Sequence, residues 1–175
     1  TFWVLATSYR RVGNRFRFPM AHGASHEVLE EGREFLLDWQ KLKKVAACES
    51  PVVPVCVQDA DTMQVLIVAF ANEQALMETF ERKVCVLWST SRNKLWIKGE
   101  TSGDVLDLVE VRVNCEQNSL LYLVRPRRTG ACHTKDAEGA TRPSCYYRKV
   151  TWTPQEKSEA PVTEVISKCT TLEPL

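Results

Sequence analysis

Between residues 52 and 124 the chain repeatedly interrupts short runs of Val, Ile, Leu and Tyr with clusters of turn-forming residues, and this rhythm constrains the fold more than any other feature. Short runs rich in branched and aromatic residues suit a pleated, half-buried surface, so they read as strands. Residues 52–58 and 63–70 form one pair, joined by Asp59-Ala60-Asp61-Thr62. Residues 84–89 and 95–98 form a second pair around the turn Arg92-Asn93, and residues 105–113 and 119–124 complete the set.

Two helical stretches accompany these strands. Asn72 can cap a short helix from Glu73 to Glu81, with Ala75, Leu76 and Phe80 toward one side. Earlier, Ser25 can cap a longer helix with Glu27, Glu30 and Glu31 near its positive end and Lys41, Lys43 and Lys44 near its negative end. Val28, Leu29, Leu36, Trp39 and Leu42 give that segment apolar positions near helical spacing, which predicts a packing helix. The expected class is α+β: a basic N-terminal arm over 1–24, one domain over 25–150 that includes the leading helix, and a polar, irregular C-terminal tail over 151–175. No internal repeat or low-complexity block is present.

Apolar residues make up 44% of the 175, enough for a real core. Lys and Arg total 23 against 22 acidic residues, a net charge of +1 that argues against broad nucleic-acid binding. No apolar run approaches the ~20 residues that span a bilayer. The chain begins at Thr1 and not Met, which predicts a processed or incomplete start. Arg10, Arg11, Arg15 and Arg17 precede any acidic residue, as an organellar transit remnant would, so the expected location is mitochondrial, with the cytoplasm as the alternative.

Seven cysteines occupy positions 48, 56, 85, 115, 132, 145 and 169. An odd count cannot pair completely, and a core of this size needs no disulfide staples, which suggests a reducing compartment. Cys56 and Cys85 sit within apolar runs and read as buried strand positions. Cys115, Cys132 and Cys145 are soft donors suited to zinc, and three protein ligands with one open position is the pattern of a catalytic site. Their gaps are much wider than in a zinc ribbon, so on spacing alone buried core cysteines are the stronger reading.

The surrounding residues add to this. The segment from Trp88 to Gly103, reading WSTSRNKLWIKGETSG, is similar to the most recognisable segment of the phosphoribosyl-AMP cyclohydrolases. So are Gln58-Asp59-Ala60-Asp61-Thr62, Asn72-Glu73-Gln74-Ala75-Leu76, Ala131-Cys132-His133-Thr134 and Ser144-Cys145-Tyr146-Tyr147-Arg148, while Asp38-Trp39-Gln40-Lys41-Leu42 looks like the family's leading helix. The resemblance implies a small α+β protein that dimerises and holds zinc between cysteines of both subunits. It also implies hydrolysis of the bond between N1 and C6 of a purine ring, with zinc activating the attacking water. Cys115, Cys132 and Cys145 would be the zinc ligands, and His133 a proton shuttle or a structural histidine. Arg92, Lys98, Glu100, Thr101 and Ser102 would contact an anionic nucleotide.

The chain departs from the family at several places. The family's acidic magnesium box corresponds to Asn114-Cys115-Glu116-Gln117-Asn118, so one carboxylate, Glu116, remains between two amides. Hard Mg²⁺ prefers charged oxygen ligands, and its loss is expected. Asp104 and Leu106 stand where the family usually has His or Asn and then Gln, and Lys135 to Pro143 carries an inserted, looped stretch. Zinc–thiolate ligation can stabilise a fold without catalysis. The expectation is therefore a lapsed enzyme kept as a zinc-stabilised structural subunit of a larger protein assembly. The alternatives are an active zinc-dependent cyclohydrolase, homodimeric through the zinc site, and a module that binds nucleotide-like ligands without hydrolysis.

Overall fold

The computed structural model describes residues 31–33, 45, 47, 48, 50–152 and 170–174. The arm over 1–24, the Asp38–Leu42 segment of the leading helix and Cys169 lie outside the described residues.

Strand β1 (Val53–Asp59) pairs antiparallel with β2 (Val65–Ala71), through the turn in which Asp59 Oδ1 accepts the N–H groups of Asp61 and Thr62, each at 2.8 Å. Helix α1 (Glu73–Arg82) follows, then the hairpin of β3 (Val86–Ser89) and β4 (Lys94–Ile97). Strand β5 (Leu106–Val113) returns antiparallel to β6 (Leu120–Pro126), and β6 lies parallel to β1. The main sheet therefore has the order β2-β1-β6-β5. Each of these elements matches its sequence expectation to within about two residues.

The two inner strands carry the core. Val55, Val57, Tyr122 and Val124 are fully buried, and each apolar side chain so buried contributes about 1.5–3 kcal/mol. The β3–β4 hairpin is stitched to the β5 edge by Cys85 N–H to Leu106 O and Leu108 N–H to Lys83 O, both at 2.9 Å. Residues Val84 to Leu87 are thereby buried against the sheet.

Helix α1 begins where the sequence places it, with Asn72 Oδ1 accepting Ala75 N–H at 2.9 Å. Its buried positions are Ala75 and Thr79, whereas Phe80 is half exposed. At ~100° per residue, position 80 lies about 140° around the helix from position 75, so Phe80 does not share the face predicted for it. Thr79 Oγ1 accepts Val86 N–H at 3.2 Å and lies 2.7 Å from Ala75 O and 3.0 Å from Val86 O, tying α1 to β3.

One expectation is corrected at the C-terminus. Strand β7 (Arg148–Trp152) pairs antiparallel with β8 (Thr170–Pro174), so the tail expected to be irregular from 151 contains a two-stranded ribbon. Lys149 and Thr151 both reach the Glu173 carboxylate, at 2.9 Å and 3.2 Å. Nearby, Arg142 forms a two-nitrogen pair with Glu31 and stacks 4.2 Å over the Tyr147 ring, and Arg148 donates to Gly32 O at 2.9 Å. The inserted stretch folds back on itself, with Asp136 Oδ1 accepting the N–H groups of Glu138 and Ala140.

Thr79→Val should destabilise the fold by about 1–3 kcal/mol, because Val86 N–H loses its acceptor in a dry interior. The denaturant midpoint should fall at unchanged slope. Two glycines supply a paired test. Gly99 and Gly139 both have positive φ, 84° and 80°, but a Cβ at Gly99 would lie 2.0 Å from Asp104 O while one at Gly139 meets nothing within 4 Å. Gly139→Ala should cost only the left-handed strain of about 1–2 kcal/mol, and Gly99→Ala distinctly more in the same titration.

Candidate functional site

Several separated stretches of the chain meet at a cleft of about 570 Å³. Strand β2 gives one wall, through Ile67 to Phe70; the β3 end and its turn give Trp88 to Arg92; and Trp96, His133 and Cys145 close it. Apolar and aromatic walls with a few convergent polar groups are the usual make-up of a small-molecule site.

The turn after β3 is tight. Arg92 N–H donates to Ser89 O at 3.3 Å, and Arg92 Nε donates to Ser89 Oγ at 3.1 Å, so the guanidinium is tethered at the rim. Trp88 Nε1 is buried and has no hydrogen-bond partner among the described residues. A dry indole N–H is a donor available to an acceptor placed in the cleft.

The cysteine wall is built by backbone pairing. Ala131 and Cys132 donate to Arg142 O at 3.2 Å and 3.1 Å, and Cys145 donates to Leu66 O at 2.9 Å. Gly130 is required where these segments cross, since a Cβ there would lie 2.4 Å from Thr141 O. Cys132 Sγ sits 3.1 Å from Thr134 Oγ1 and accepts Thr134 N–H at 3.5 Å. The adjoining Cys145 thiol is the largest influence on Cys132, and with help from Thr134 and His133 it outweighs burial, bringing the Cys132 thiol down to about 5. Cys145 moves upward, chiefly through its engagement with Cys132 and then through burial. The pair thus gives up one proton readily and holds the second.

Cys115 is not with them. It is exposed in the turn between β5 and β6, and among the described residues no three His, Cys, Asp or Glu side chains converge as a metal site. The donor chemistry nevertheless fits zinc, because two adjoining thiols, Cys132 and Cys145, meet where the cleft is closed by Cys145. Around Cys115 the amides satisfy one another: Asn114 donates to Asn118 Oδ1 at 2.7 Å, Asn114 Oδ1 accepts the N–H groups of Asn118 and Ser119, and Asn118 donates to Glu116 at 2.9 Å.

The remaining sequence candidates divide. Arg92 and His133 line the cleft. Glu100, Thr101 and Ser102 stand at the surface of the β4–β5 loop and do not line it; Ser102 Oγ accepts Asp104 N–H at 3.3 Å, and Ser102 O accepts Arg128 at 3.1 Å. Lys98 is buried, only 3% exposed, with Nζ 5.7 Å from the centre of the Trp96 ring. Ser89, Ser91, Trp88 and Trp96 line the cleft but escaped sequence reasoning, although the strand pairing of 84–89 with 95–98 would have placed them side by side.

Leu106 is fully buried in the core and pairs with Pro126, so its departure from the family's Gln concerns packing. Asp104 is also buried, and its backbone carbonyl is what crowds Gly99.

Comparisons with known proteins agree with this architecture. The phosphoribosyl-AMP cyclohydrolase family profile matches residues 67–147. A phosphoribosyl-AMP cyclohydrolase of Archaeoglobus fulgidus is 44% identical over 102 residues, covering 58% of this chain and 88% of that protein. The Hyphomonas neptunium enzyme of the same name is 42% identical, over 58% of this chain and 72% of its own length. The histidine biosynthesis bifunctional protein HisIE of Aquifex aeolicus is 37% identical over 62% of this chain and half of its own. Identity at this level across nearly the whole of a relative is carried by a common fold, and the chain belongs to the phosphoribosyl-AMP cyclohydrolase family.

Proposed function

We propose that this chain is an active phosphoribosyl-AMP cyclohydrolase of histidine biosynthesis, opening the bond between N1 and C6 of the purine ring. The observation that carries this reading is the cleft that gathers Arg92 from the β3–β4 turn with His133 and Cys145 from the β6–β7 connection. The curated relatives at 42–44% identity are named as this enzyme, which supports the same reading. The expectation of a lapsed structural subunit in a larger assembly has nothing to support it. Of the departures that motivated it, Leu106 packs in the core, and Asn114, Glu116 and Asn118 lie on a turn away from this chain's own cleft.

Each residue then has a role that follows from its place. Cys132 and Cys145 would hold zinc, with Cys115 of a second copy as the third ligand, which makes the working unit a homodimer. Zinc, when bound, lowers the pKa of a water toward about 7. His133, next to Cys132 in sequence and at the same cleft as Cys145, would accept and return a proton. Arg92, held by Ser89, would face a phosphate at the rim. The walls of Trp88, Trp96 and Phe70 suit a flat heteroaromatic ring. The mutually bonded turn around Cys115 supports a requirement for zinc without magnesium.

Ring opening of phosphoribosyl-AMP, followed by absorbance, tests this. Protein with stoichiometric zinc should turn over, and added magnesium should leave the rate unchanged. His133→Ala should lower kcat by about 10²–10⁴-fold. Cys145→Ser should lose both zinc and activity. A zinc-loaded, folded dimer that leaves the substrate intact overturns the proposal.

A further inference from the structure

Lys98 is one of the few buried charged residues among those described, and it has no carboxylate partner there. Lysine is almost never fully buried unless paired. The other buried charge of its loop, Asp104, forms no ion pair with it among the described residues. The ammonium faces the Trp96 ring at 5.7 Å, and its charge is felt by the thiols of Cys85 and Cys145. Cys85 cannot balance the charge, because full burial keeps it a neutral thiol.

Trp96 and Cys145 both line the cleft, while Lys98 does not. The ammonium is therefore set behind the wall, on the far side of the Trp96 ring from any occupant. Inside the protein a fixed charge acts with much less screening than at the surface. Among the described residues the cleft lining contains Arg92 and His133 but no Asp or Glu. Trp88 Nε1, buried at the same cleft without an acceptor, is a second group that lacks a counterpart until an electron-rich ligand arrives. The cleft is thus biased on several sides toward a negatively charged, flat occupant.

We propose that Lys98 is a positioning residue that makes this cleft prefer a phosphorylated nucleoside over the bare nucleoside, acting through the Trp96–Cys145 wall and not by direct contact. The inference deepens the proposed function, since it names the charge of the ligand that this site selects. It assigns the phosphate preference jointly to a rim group, Arg92, and to a buried one. Of the loop 98–102, it gives the electrostatic role to the one charged residue that is buried.

Calorimetry on the full-length, zinc-loaded protein with adenosine 5′-monophosphate and with adenosine separates the cases without requiring turnover. The unaltered protein should bind the monophosphate more tightly. Lys98→Met, close in length, should weaken monophosphate binding by about tenfold while leaving adenosine within about twofold. Lys98→Gln is the second variant should the first fail to fold, and the thermal midpoint monitors both. Equal weakening of both ligands would show that Lys98 merely shapes the wall, and no change for either would show that its charge is not felt; each outcome overturns the inference. Loss of zinc from Lys98→Met, with phosphate preference retained, overturns it as well, because the ammonium would then serve the thiols alone. Absence of turnover in the unaltered protein, with phosphate preference intact, would sink the proposed reaction and leave this inference standing. Normal turnover with an unchanged KM in Lys98→Met would do the reverse.

Discussion

Cys145 N–H donates to Leu66 O at 2.9 Å, and the Ser144 hydroxyl donates to Val65 O at 2.7 Å, so this short segment covers the outer edge of β2. An uncovered edge presents unpaired backbone groups, and here the same bonds that satisfy them carry a thiol to the cleft. Cys132 arrives on the neighbouring segment, which is tied to Arg142 O and crosses at a glycine because nothing larger fits. The two sulfurs are therefore placed by backbone hydrogen bonds and not by surface side chains. A site so placed is as rigid as the sheet beneath it.

Two kinds of charge stand at opposite extremes among the described residues. Arg125–Asp61 and Arg127–Asp107 are two-nitrogen pairs along the β6 end, but every partner is about half exposed, so solvent screens most of their attraction. They hold loops in register more than they stabilise the fold. Lys98 is the opposite case. Its burial is expensive, and what that expense secures is a persistent field at the cleft. Selection for stability alone would favour an apolar side chain there.

Most of the fold was legible because alternation of branched residues and a few turn residues specify short strands locally. Asn72 announced α1, and Asp59 announced the first hairpin. The ribbon of β7 and β8 was not legible. Its strands are separated by residues 153–169, and Arg148-Lys149-Val150-Thr151-Trp152 has no apolar alternation strong enough to mark a partner so far along the chain. The position of Phe80 failed for a simpler reason: it neighbours Leu76 around the helix but lies about 140° from the buried Ala75, toward solvent. The site was legible only in part. Arg92, His133 and Cys145 were singled out from motifs, but the burial of Lys98 depends on how the β4–β5 loop closes over Trp96, which no local pattern encodes.

The departures from the family teach where a sequence comparison needs a structure. A lost amide reads as lost chemistry only if the position faces the substrate. Leu106 faces the core, beside residues that exclude water, and there a Leu is the better neighbour. Asn114 and Asn118 are different, since they replace charge by mutual hydrogen bonding in an exposed turn. Under the proposed reading that exchange would give up a hard-cation cage while ordering the same loop, and so keep Cys115 presented at a fixed place. Ordering a turn and binding magnesium are separable functions of the same five residues. Under the proposed reading, only the first is needed for the thiol to reach a neighbouring copy's sulfur pair, and that is why dilution of the acidic box does not by itself argue against catalysis.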